Sequence, residues 1–75
     1  MDESMTHKEY EERFAEAVHV VRGKIRGVGA PGITPNGVRF LRVGGMLCDD
    51  EMVFSLAWGK QIARDIVAQG RAFRR

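Results

Sequence analysis

Apolar residues recur at helical spacing in the first third of the chain. Thr6, followed three residues later by Glu9, is a capping-box pattern that marks the start of a helix. After it, apolar side chains repeat every three or four residues, at Tyr10, Phe14, Ala17, Val18, Val21 and Ile25. The pattern predicts an amphipathic helix over residues 7–25, which Gly27 can stop.

The middle of the chain has the composition of a loop followed by a β-hairpin. Residues 27–37 contain two prolines and four glycines, and we expect a connecting loop that ends in a turn over Thr34-Pro35-Asn36-Gly37. Residues 38–43 have strand composition, and Gly44-Gly45 can form a tight turn. Residues 46–48 then return as a short second strand.

A second stretch of helical spacing runs to about Gln69. Asp49 or Asp50 can cap its start, and Gly70 can stop it. The predicted buried side of this helix carries Met52, Leu56, Gly59, Ala63, Ile66 and Val67. Close approach of the first helix is expected along a line of small residues formed by Ser55, Gly59 and Ala63.

The predicted order of elements is helix, short β-hairpin, helix (αββα), in one small α+β domain over residues 1–75. Because a two-stranded hairpin is marginal in isolation, we expect both helices to pack on one of its faces. A chain of 75 residues buries a thin core, which dimerisation can complete. Residues 1–6 and 71–75 are expected to be flexible.

Two large aromatic residues fall off the predicted buried side of the second helix. Phe54 and Trp58 lie four residues apart, roughly 120 to 150° from that side. Either the protein's own chain covers them, or they contact another protein or a second copy. Together with Arg64, which also points away from the predicted core, they are the candidate partner-binding residues.

The net charge of +2 is unevenly distributed. Residues 1–16 carry six acidic and two basic residues, whereas the remainder carries ten basic and four acidic ones. Charges placed to suit helix dipoles account for much of this asymmetry. The other interpretation is a nucleic-acid surface with Phe40 or Trp58 as stacking aromatics, formed by Arg39, Arg42, Lys60, Arg71 and Arg74.

The sequence offers little for catalysis or metal binding. Residues 27–32 match G-x-G-x-x-G, but they follow a predicted helix and contain Pro31, so a connecting loop is the better interpretation. The single Cys48 permits no intrachain disulfide, and His7 and His19 have no metal-ligand spacing. We therefore expect no enzyme and no cofactor, in a reducing, cytoplasmic location. An apolar run long enough to span a membrane is absent from the sequence.

These observations favour a small non-enzymatic protein–protein interaction module that occupies a surface of its partner. The partner is another protein or a second copy in a homodimer, and the functions considered are accessory subunit, regulator or phage- or plasmid-type inhibitor. The alternative is a small basic nucleic-acid-binding protein that uses arginines of the hairpin and the second helix.

Overall fold

The chain runs in the order helix, three strands, helix, helix over residues 5–70, which the computed structural model describes. The elements are α1 (His7–Lys24), β1 (Val28–Ile33), β2 (Arg39–Val43), β3 (Met46–Asp49), α2 (Asp50–Trp58) and α3 (Lys60–Gly70). The predicted α+β class and the hairpin are confirmed. The structure adds a strand before the hairpin and divides the last helix in two. Of the residues predicted to be flexible, 1–6 and 71–75, all but residues 5 and 6 lie outside the described part of the chain.

Helix α1 begins as its sequence predicts. The Thr6 hydroxyl accepts a hydrogen bond from the Glu9 backbone N–H at 3.1 Å, and the Glu9 carboxylate accepts one from the Thr6 N–H at 2.9 Å. This capping box, chiefly its bond to the Thr6 backbone, holds the pKa of Glu9 below its ordinary value of 4.5. The predicted apolar face is buried at Tyr10, Phe14, Ala17, Val18 and Val21.

The segment predicted to be a loop is instead an edge strand, β1, paired antiparallel with β2. The Thr34 N–H donates to the Val38 carbonyl at 2.8 Å. Because backbone groups alternate in direction along an antiparallel strand, the N–H and C=O of Gly32 also point toward β2, whereas the backbone groups of Pro31 and Ile33 point away from it. Pro31 therefore costs the ladder no hydrogen bond. The Phe40 ring covers Gly32, occupying the space a side chain would need.

Strand β2 lies at the centre of the sheet, between β1 and β3. The predicted tight turn is confirmed, because Gly44 and Gly45 have φ of 57° and 87°, as a two-residue hairpin turn of type I′ requires. Alternate residues of β2 face the helices and are buried, namely Arg39, Leu41 and Val43. The opposite face of the sheet carries Phe40 and Arg42.

The prediction of one continuous second helix is wrong because the chain changes direction at Gly59. Its φ of 101° and ψ of 160° lie in a region that glycine alone adopts readily. Its N–H ends α2 on the Ser55 carbonyl at 2.8 Å, and its own carbonyl accepts the Ala63 N–H at 3.0 Å. The Lys24 ammonium also donates to the last carbonyls of α2, those of Leu56 and Ala57, both at 3.1 Å.

This break rotates the buried side of α2 away from the predicted one. Met52 is exposed, and the buried apolar residues are Val53, Phe54 and Ala57. Gly59 is exposed, and a Cβ built on it would meet nothing within 4 Å, so the predicted line of close helix approach is wrong there. In α3 the prediction is confirmed, since Ala63, Ile66 and Val67 are buried.

The core joins the first helix, α1, to the last two helices, α2 and α3. Phe54 packs edge-on against Tyr10 and Phe14, with ring centroids 5.6 and 5.9 Å away. The Tyr10 hydroxyl donates to the carboxyl group of Asp50, which is completely buried at the start of α2. Gly70, the last residue of α3, lies directly against the Tyr10 ring.

Candidate partner-binding surfaces

The two aromatic residues singled out in the sequence have different environments. Phe54 has no exposed surface, so its prediction as a partner contact is wrong in this fold: the protein's own aromatic residues cover it. Trp58 is half-buried and stacks on Phe54, with ring centroids 6.2 Å apart and ring planes 14° from parallel. The core thus holds the indole ring in place from one side.

Trp58 lines a shallow groove between α1 and α3, with a volume of about 450 Å³. Ile62 and Ile66 line it from α3, and Arg13 and Glu16 from α1. The two charged residues form an exposed ion pair at 3.7 Å. On the other side of the groove Ile62 is 47% exposed. The groove therefore combines an apolar wall with a charged rim, the usual anatomy of a protein contact surface.

Arg64 does not belong to this groove. At about 100° per residue it lies roughly 160° around α3 from Ile62, on the opposite flank of the helix. Lys60, one turn earlier, lies on the same flank as Arg64, and both are exposed. The predicted partner-binding set is therefore divided between the core, the groove and the far side of α3.

The candidate nucleic-acid residues are also separated. The side chain of Arg39 is only 5% exposed and forms an ion pair with Glu11, and its guanidinium lies 5.7 Å from the centre of the Tyr10 ring. Its prediction as a surface contact for phosphates is therefore wrong, because it faces the core side of the sheet. Arg42 is exposed on the opposite face, whereas Arg71 and Arg74 lie outside the described residues.

A second groove, which the sequence did not indicate, separates α1 from the edge strand β1. Its volume is about 370 Å³, and its lining is mostly apolar, with Phe14, Ala15 and Val18 on one side and Pro31 and Ile33 on the other. Arg39 and Glu11 lie at one end. At the other, Arg22 donates to the Gly29 carbonyl at 3.0 Å and closes the groove.

The potential metal-ligating and nucleophilic side chains of the described residues lie singly, in pairs or in the core. Among residues 5–70 no cluster of three or more His, Cys, Asp or Glu side chains could hold a metal ion. The His7 ring lies 2.9 Å from Glu11, and Cys48 is a buried free thiol packed in the core. Within the same residues, none of the helices has the length and apolar character that crossing a membrane demands.

The chain matches no protein-family model, no curated protein and no solved structure.

Proposed function

We propose that this protein is a small non-enzymatic protein–protein interaction module, an accessory subunit, regulator or inhibitor that binds through the groove at Trp58. One observation carries the proposal: Trp58 stacks on the buried Phe54 yet keeps part of its surface exposed beside Ile62. A tryptophan held in place before binding loses little conformational freedom when a partner covers it.

The partner surface that fits this groove is an apolar side chain, or one face of a helix, with polar residues around it. Such a contact buries Ile62 and the exposed part of Trp58, while the Arg13–Glu16 pair stays at the rim. A second copy of the chain meets this requirement through its own Ile62, which makes a homodimer one form of the proposal. A cytoplasmic setting is in keeping with the reduced Cys48 in the core.

Site-specific crosslinking tests the proposal. A photoreactive phenylalanine analogue replaces Ile62 in one variant and Met52 in a control variant, because both side chains are 47% exposed on helices. We expect crosslinks, to another protein in cells or to a second copy in purified samples, from position 62 only. Equal crosslinking from both positions, or none from position 62, would contradict the proposal.

Affinity provides the quantitative test. Ile62→Asp should weaken the association detected by crosslinking about 30-fold or more, equivalent to about 2 kcal/mol for an interface hot spot. Met52→Asp should change it by less than about threefold. Sedimentation velocity measures self-association, and thermal unfolding checks that both variants fold. Equal losses in the two variants would place the contact elsewhere.

Nucleic-acid binding is the second candidate function, favoured by the exposed Arg42 beside the half-buried Phe40 ring on the open face of the sheet. The log of the affinity for single-stranded RNA should then fall linearly with log salt, by about 0.7 per neutralised phosphate. Arg42→Ala should flatten this slope, with Arg64→Ala as the control. The absence of binding near 50 mM salt, a low ionic strength at which phosphate contacts are strong, would leave the protein-partner proposal alone.

A further inference from the structure

The outer edge of β1 carries backbone groups that the sheet does not pair. Because Gly32 and Thr34 face β2, the N–H and C=O of Ile33 and the C=O of Pro31 point outward. The Ile33 side chain is 58% exposed. A row of outward backbone groups next to exposed apolar surface is a template for another strand.

The groove between α1 and β1 lies beside this edge. Pro31 and Ile33 share the face of the sheet that carries Leu41 and Arg39, their partners in the ladder, and both line the groove. A strand added to β1 would therefore direct alternate side chains into the groove. A volume of about 370 Å³ accommodates one or two apolar side chains.

The charges at the two ends of the groove differ. The guanidinium of Arg39 is paired with Glu11 at one end. At the other end, Arg22 is exposed, and no carboxylate of residues 5–70 lies within 4 Å of its guanidinium. An acidic group on a segment bound in the groove would pair with the positive charge of Arg22.

We propose that an extended segment of a protein partner adds to β1 as a fourth, antiparallel strand. It places alternate apolar side chains in the α1–β1 groove and an acidic residue, nearer its C-terminal end, against Arg22. The residue opposite Ile33 exchanges two backbone hydrogen bonds with it, and the Pro31 carbonyl accepts one more. An antiparallel strand that starts near Ile33 ends near Gly29, the carbonyl that Arg22 contacts.

A second copy is the poorer occupant of this edge. Pro31 supplies no N–H, so pairing β1 with another β1 loses hydrogen bonds on both strands. Residues Val28–Ile33 also carry no acidic side chain for the Arg22 of the other copy. Complementarity of charge therefore favours a different, acid-bearing segment.

The site lies on the flank of α1 opposite the Trp58 groove, and the proposal does not depend on that groove.

Peptide selection against the full-length protein tests this proposal. The probe is a library of displayed random nonapeptides, and the selected peptides are added to ¹⁵N-labelled protein. We expect apolar residues at alternate positions, an acidic residue following them, and the largest amide shifts at Ile33 and its neighbours in β1. N-methylation of the peptide amide that donates to the Ile33 carbonyl should weaken binding about tenfold or more.

Matched variants separate this site from the rest of the surface. Ala15 lines the groove and Ala68 does not, and both are exposed alanines on helices. Ala15→Tyr should abolish peptide binding, whereas Ala68→Tyr should leave it unchanged. Arg22→Glu should change the preference from acidic to basic peptides, and Ile62→Asp, which disrupts the proposed Trp58 surface, should leave peptide binding intact.

Four outcomes would overturn the proposal. Amide shifts at the Trp58 groove and not in β1 would contradict it, as would equal peptide binding by Ala15→Tyr and Ala68→Tyr. Concentration-dependent shifts at Ile33 without any peptide would assign the edge to a second copy. Recovery of no peptide that perturbs β1 would show that the edge is closed to strand addition.

Discussion

Gly70 is the position at which one added methyl group should do the most harm. A Cβ built there would lie 2.8 Å from the Cγ of Tyr10 and would overlap two further atoms of its ring. Real Cβ atoms do not approach so closely, so Gly70→Ala must displace either the end of α3 or the Tyr10 ring. The ring is completely buried and donates its hydroxyl proton to Asp50, so neither movement is cheap.

The expected cost follows from these contacts. Overpacking a core contact costs about 1 to 3 kcal/mol, and disturbing the hydrogen bond between Tyr10 and Asp50 adds about 1 to 3 kcal/mol. The better helix propensity of alanine returns at most about 1 kcal/mol. We therefore expect Gly70→Ala to lower the free energy of unfolding by about 2 to 4 kcal/mol. With an m value of about 1 kcal/mol/M, the urea midpoint falls by about 2 M or more.

Gly23→Ala is the matched control, because Gly23 lies in α1 and an added Cβ meets nothing within 4 Å. There the same substitution should raise stability by about 0.4 to 1 kcal/mol. Urea unfolding followed by circular dichroism, with m unchanged, measures both variants. If Gly70→Ala were as stable as Gly23→Ala, the contact between α3 and the Tyr10 ring would not exist as described.

Three further predictions concern the turn, the buried arginine and the helix cap. Gly59→Ala should destabilise by about 1 to 3 kcal/mol in urea unfolding, through backbone strain and not overpacking; an unchanged midpoint would refute this. Arg39→Ala should lower the free energy of unfolding by about 2 kcal/mol, since the arginine is buried and paired. Arg42→Ala should change it by less than about 0.5 kcal/mol. Similar losses in the two variants would contradict the buried position of Arg39. Because the folded-state pKa of Glu9 is lowered, the stability it contributes is complete above pH 4.5 and is lost as pH falls through the lowered pKa. As the pH falls from about 6 to about 3, the urea midpoint should therefore decrease less steeply for Glu9→Gln than for the unchanged protein. Equal slopes for the two proteins would contradict the lowered pKa of Glu9 in the folded state.

The sequence predicted α1 well because local chemistry alone determines its start and its buried face. Its capping box and its apolar spacing agree on the same helix, and no other element is needed to interpret them. The tight turn at Gly44-Gly45 is local in the same sense. Both could be predicted from a few neighbouring residues.

Strand β1 was missed because its glycines and proline depend on tertiary neighbours. Gly32 is tolerated since the Phe40 ring covers it, and Pro31 is tolerated because its nitrogen faces outward. One signal was present: the predicted turn at residues 34–37 leads directly into a strand, and such a turn usually connects two strands. With β1 taken as a loop, its groove with α1 could not be predicted.

The break at Gly59 explains why Phe54 was wrongly predicted to contact a partner. Projection of residues 50–69 on one helix placed Phe54 outside the core, because the projection assumed that Gly59 continues the helix. A glycine between two segments with different apolar faces was the available signal. Once the break is included, Phe54 belongs to the core, and of these two aromatic residues only Trp58 keeps exposed surface.

The contact between Tyr10 and Gly70 has a consequence for the order of events during synthesis. The apolar face of α1 emerges from the ribosome early, but the residues that cover Tyr10 come from α2 and the end of α3. Until those residues emerge, the nascent chain carries an exposed aromatic face on a formed helix, the kind of surface that chaperones bind. The core around Tyr10 is therefore expected to be completed only after α3 has emerged, although α1 itself can form earlier.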